Sequence, residues 1–137
     1  MQVLFLLLIL MMPLEKKPEI RLTVTVENIH DPKGVILVGL FDCENGFLEE
    51  AREGKIIRAS AEKVTVTFDN IRPGKYAVSV IHDRNENTQL DKNFLGIPKE
   101  GFGFSNNAMG NFGPPTFEQA HVNLVDHKEL RIRLKYF

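Results

Sequence analysis

Cysteine occurs once and tryptophan not at all in these 137 residues. A lone cysteine excludes an intrachain disulfide framework and a Cys-rich zinc module, so packing has to hold the fold together. An excess of one charge is missing too. Lys and Arg number 17 against 18 Asp and Glu, a net charge of -1, with no block of either sign. The field that gathers nucleic acid is therefore absent, and no nucleic-acid partner is expected. Long apolar runs are also scarce. The longest, Met1 to Met12, falls short of the roughly 20 residues of a membrane-crossing helix, so a multi-pass membrane protein is not expected. Its length does suit the apolar part of an export signal, although basic residues before it and a small-x-small site after it are lacking. Residues 1–18 are read as an export-signal-like leader and 19–137 as a single domain, periplasmic or secreted. The latter stretch is long enough for one self-sufficient core and too short for two.

Sustained helical periodicity is the last thing missing. What is present instead is alternation. Ile20, Leu22, Val24 and Val26 alternate with Arg21, Thr23 and Thr25, the period-2 pattern of a strand buried on one face. Val35 to Phe41 is apolar on both faces and reads as a central strand, entered through a turn at Asp31-Pro-Lys-Gly34. Ile56 to Ala61 is weaker and reads as an edge. Lys63 to Phe68 and Lys75 to Ile81 flank Asn70-Ile-Arg-Pro-Gly74, which predicts a hairpin in which Gly74 supplies a positive φ. His121 to Val125 and Leu130 to Tyr136 complete the set, the last with Arg131, Arg133 and Lys135 as an outward basic stripe best explained as a solvated face. Helix is confined to scraps at Phe47 to Arg52 and Phe117 to Ala120, the second with Thr116 and Gln119 at capping-box spacing. The fold class is all-β: an antiparallel two-sheet sandwich of about seven strands with one long ordered loop.

That loop runs from Asp83 to Gln119, longer than the ~12–15 residues at which unstructured connections become uncommon. Half of the ten phenylalanines lie in it, so it has apolar surface to dock, unlike a disordered tract. Its first part places oxygen-bearing side chains at every second position: Asp83, Asn85, Asn87, Gln89 and Asp91. Alternating carboxylate and amide oxygens are how a short loop wraps a hard cation, and the expected cofactor is Ca²⁺ at these five residues. The match to an EF-hand loop is partial, with Thr88 in the glycine position and Phe94 in place of the closing Glu. The alternative is an Asx-rich turn in which these side chains cap their own backbone and no ion binds.

Catalytic candidates are few. Cys43 lies between Asp42 and Glu44, whose charges raise a thiol pKa. His82 and Asp83 are neighbours on a strand and point to opposite faces. Ser105 lacks a nucleophile elbow. No catalytic residue is assigned, and the chain is read as not an enzyme.

The stretch Ile71-Arg-Pro-Gly-Lys-Tyr-Ala-Val-Ser-Val-Ile-His-Asp-Arg-Asn-Glu-Asn87, then Leu95-Gly-Ile-Pro-Lys-Glu-Gly-Phe-Gly-Phe-Ser-Asn-Asn107 and Phe112-Gly-Pro-Pro-Thr-Phe-Glu-Gln-Ala120, resembles the exported bacterial family catalogued as domain of unknown function 2141. The resemblance covers about residues 20–137. It implies a secreted or periplasmic prealbumin-like or immunoglobulin-like sandwich with no established activity, and fold analogy with prealbumin-like hydrolases carries no chemistry by itself. Its signature gathers at one end of the sandwich, where binding loops usually sit. Glu100, Phe102, Phe104, Asn106 and Asn107 are the candidate ligand-binding residues. The expected partner is an envelope or extracellular glycan or protein; the oligomeric state is left open. Two further readings stay beside this one, a purely structural domain without an ion and, behind it, a hydrolase.

Overall fold

Period-2 alternation becomes strand wherever one face can be buried. The computed structural model describes residues 12–16, 19–87, 100–111 and 113–137. In chain order these contain β1 (Ile20–Glu27), β2 (Val35–Phe41), β3 (Glu53–Arg58), β4 (Val64–Ile71), β5 (Gly74–Asp83), β6 (Phe102–Phe104), a 3-10 turn at Ser105–Asn107, α1 (Phe117–Ala120), β7 (Val122–Leu124) and β8 (Lys128–Arg133). One sheet has the order β4-β1-β8. The other runs β3-β2-β5-β6, with β7 also on β5. The pairs are antiparallel except β1 with β8, which run parallel.

The core lies between the sheets. Leu22, Val24 and Val26 of β1 meet Ile36, Val38 and Leu40 of β2 and Val78 and Val80 of β5 in one buried cluster, each such side chain contributing about 1.5–3 kcal/mol when removed from water. A second cluster covers the outer face of the larger sheet: Phe41, Ala77, Phe102, Phe104, Phe117 and Ala120, joined by Phe47 and Met109. The phenylalanine-rich excursion therefore docks as its composition predicts, with Phe102, Phe104 and Phe117 buried. Phe94 and Phe112 lie outside the described residues.

Three local expectations are corrected. The segment between β4 and β5 is not a hairpin, because β4 pairs with β1 and β5 with β2; the turn carries the chain from one sheet to the other. A propensity reading sees the turn and not the partner, since both alternatives need the same bend. Positive φ in this region belongs to Asn70 (57°), at a register shift between β1 and β4, and not to Gly74. Residues Phe47 to Arg52 form turns and no helix, with Leu48 at φ 66°. Three further local expectations hold. β2 is central, β3 is an edge, and Thr116 with Gln119 forms the capping box, their reciprocal bonds being 3.0 and 3.2 Å.

Candidate functional site

The signature residues converge where β5 ends. Register between β5 and β6 pairs Ile81 with Phe102, and continuing it sets Gly101 beside His82 and Glu100 beside Asp83. Alternation then sends the two pairs to opposite faces.

His82 is fully buried between the sheets. Its backbone N–H donates to the Gly101 carbonyl at 2.8 Å. Its Nε2 lies 2.7 Å from the Lys33 carbonyl, which can only accept, so the proton sits there and Nδ1 accepts from the Tyr136 hydroxyl at 2.8 Å. That hydroxyl in turn accepts the His30 amide at 3.2 Å. Burial pushes the Tyr136 phenol above its ordinary value, against a smaller opposing pull from the His30 amide and Arg84. The Tyr136 ring carries His30 stacked at 4.1 Å and the Arg84 guanidinium at 5.8 Å. Gly101 makes this possible, because a Cβ there would lie 2.5 Å from the tyrosine ring. The backbone amide and both ring nitrogens of His82 are spent on holding strand, loop and C-terminus together.

Asp83 and Glu100 occupy the other face, with 0% and 4% of their surface exposed. Glu100 Oε2 accepts the Arg84 amide at 2.7 Å. Asp83 Oδ1 and Asn85 Oδ1 both accept from the Asn87 amide, at 3.2 and 3.3 Å. Two of the alternating oxygens, those of Asp83 and Asn85, thus meet at one backbone N–H. Gln89 and Asp91 lie outside the described residues. Among the described residues no three His, Cys, Asp or Glu side chains cluster as metal ligands.

The second half of the signature points inward. Phe102 and Phe104 are buried in the outer cluster. Gly103 faces the core so closely that a Cβ would meet Ile132 at 2.7 Å. Asn106 and Asn107 take left-handed φ of 62° and 47°, which Asn tolerates better than other side chains. Asn106 Nδ2 donates to the His121 carbonyl at 2.8 Å, and Asn107 Oδ1 accepts the Arg133 amide at 3.0 Å. Ser105 is fully buried. Its Oγ accepts the Val78 amide at 2.9 Å and donates to the Ala120 carbonyl at 2.5 Å. β6 pairs with residues 79–81 of β5 and β7 with 74–76, so Val78 falls in the gap between two short neighbours. A side-chain hydroxyl supplies the partner that no strand provides.

Of the five ligand candidates, only Asn106 and Asn107 are exposed, and their amides are used in backbone bonds. Tyr136, Arg84 and the Lys33 carbonyl were not anticipated. Alternation along the last strand did place Tyr136 inward; nothing local announced its partners. Cys43 is exposed, and its thiol is pushed up by local desolvation and then by Asp42, as its neighbours imply. No helix among the described residues is long and apolar enough to cross a membrane.

A family model described as uncharacterized protein conserved in bacteria (DUF2141) matches residues 24–133, and the chain belongs to that family. No curated protein and no solved structure matches it.

Proposed function

We propose that this family member is an exported, non-catalytic accessory domain that binds an envelope or extracellular ligand, and that a Ca²⁺-class cation at the base of the loop after β5 holds that loop rigid. The observation that supports the ion is the burial of two carboxylates, Asp83 at the end of β5 and Glu100 just before β6. Burying a carboxylate costs several kcal/mol unless charge and hydrogen bonds compensate it. Backbone amides of Arg84 and Asn87 are among the groups that compensate it here. A hard cation takes six to eight oxygens, carboxylate and amide together, and Asp83, Glu100 and Asn85 offer both kinds. Export rests on the apolar leader, and the absence of an assigned catalytic residue fits a binding role.

The test is thermal unfolding with calcium and with chelator. At a free calcium concentration 100 times Kd, one site stabilises by about 2.7 kcal/mol. Asp83→Asn should remove the difference between the two curves. Coincident curves for the wild-type chain would refute the ion. In that case the convergence of Asp83 and Asn85 on the Asn87 amide favours the second reading, an Asx turn that is complete without metal.

A further inference from the structure

A polar groove of about 430 Å³ opens at the end of the three-stranded sheet. Glu27 and Asn28, at the end of the central strand β1, lie in the middle of its lining. Glu62 and Lys63, just before β4, form one side, and Arg133, at the end of β8, the other. Asn28 shapes the groove by taking φ 65° and donating its side-chain amide to the Leu134 carbonyl at 2.8 Å. His30 completes the lining. Although exposed, its ring is fixed by stacking on Tyr136 and by a 3.2 Å contact from Nε2 to Asn28 Oδ1.

Charge across the groove is only partly matched. Glu27 lies 3.9 Å from both Lys63 and Arg131. Among the described residues the Arg133 guanidinium and the Glu62 carboxylate have no ion pair, and they stand on opposite sides with opposite sign. β4 and β8 flank β1, and with about 4.8 Å between neighbouring strands their backbones are roughly 10 Å apart. Strand side chains stand roughly perpendicular to their sheet, so charges on the two flanks keep about that spacing, wider than the single carbon between the two charges of an α-amino acid. Three extended residues span about 10 Å.

We infer that this groove binds a short peptide with both termini free, two to three residues long, its carboxylate on Arg133 and its ammonium toward Glu62. A guanidinium fork matches a carboxylate in two parallel hydrogen bonds, and an ammonium needs an acceptor of opposite charge. The site uses none of the residues assigned above to the ion, so either reading can fail alone.

The experiment is a calorimetric titration of the full chain with triglycine, glycine, N-acetyl-triglycine and triglycinamide, accompanied by a melting curve for each variant. Triglycine should bind, and blocking either end should weaken it by about tenfold or more, roughly 1.4 kcal/mol. Arg133→Gln should erase the preference for a free carboxylate and Glu62→Gln that for a free ammonium, each with an unchanged midpoint. Equal affinity for the blocked and free peptides, or no binding of triglycine by the wild-type chain, overturns the inference. The blocked peptides test it on the unmodified protein, whatever the variants do.

Discussion

Replacing Ser105 by alanine deletes one oxygen and should cost far more than a surface change. The hydroxyl accepts from the Val78 amide at 2.9 Å and donates to the Ala120 carbonyl at 2.5 Å, and the residue is fully buried. Alanine offers neither backbone group a partner, so both lose theirs in the buried interior. Each such loss costs about 1–3 kcal/mol. With some relaxation of the short strands around the gap, the expected loss is about 2–4 kcal/mol. At this chain length 1 kcal/mol corresponds to roughly 3–5 °C, so the midpoint should fall by about 10 °C. Urea unfolding followed by far-UV circular dichroism measures it, with an unchanged slope confirming that the same structure unfolds. A loss below about 0.5 kcal/mol, the range of ordinary surface substitutions, would show that Val78 finds another acceptor and that the hydroxyl is not the strand's missing neighbour.

Two other changes probe the opposite face. Tyr136→Phe removes the oxygen between His82 Nδ1 and the His30 amide and should cost about 1–3 kcal/mol at neutral pH. Burial raises the folded-state pKa of this phenol above the unfolded value of 10.0. Its contribution is therefore complete below pH 10 and is lost as pH rises through the folded value, so the wild type should weaken more steeply than the variant in alkaline melts; parallel curves would contradict this. Gly101→Ala drives a methyl into the Tyr136 ring, 2.5 Å away, and should cost about 1–3 kcal/mol by overpacking. Paired with Tyr136→Leu, which removes the ring, the penalty should shrink, and a double-mutant cycle reads the coupling.

The strands were legible because burial on one face writes a period of two into the residues themselves. β1 and the inward row Leu130, Ile132, Leu134 could be marked from the sequence for that reason, whereas β2 was marked by a run apolar on both faces and the capping box by the spacing of Thr116 and Gln119. Pairing was not legible at the turn before Gly74, where a hairpin and a sheet-to-sheet crossing require the same local bend. The site was half legible. Repeated Asn, Gly and Phe marked the segment in advance, yet much of it is spent on fastening. Phe102 and Phe104 are buried against the sheet, Gly101 and Gly103 are places where a methyl does not fit, and Ser105 completes a ladder. Such roles depend on contacts with β7, β8 and Tyr136 at long chain separation, and local spacing carries no trace of them. Oxygen-rich alternation after Asp83 has the same ambiguity, since a backbone amide and a cation attract the same lone pairs.

The chain just past β8 crosses to β6, where Phe102 and Lys135 exchange two backbone hydrogen bonds at 3.1 and 2.9 Å. β3 and β4, at the other margins of the two sheets, share no strand pairing. Thermal breathing should accordingly behave like a hinge with its spine along Phe102 and Lys135. Amide protons of β3 and β4 should exchange with deuterated solvent well before those at the spine, and a protease would make its first cut on the unlatched margin.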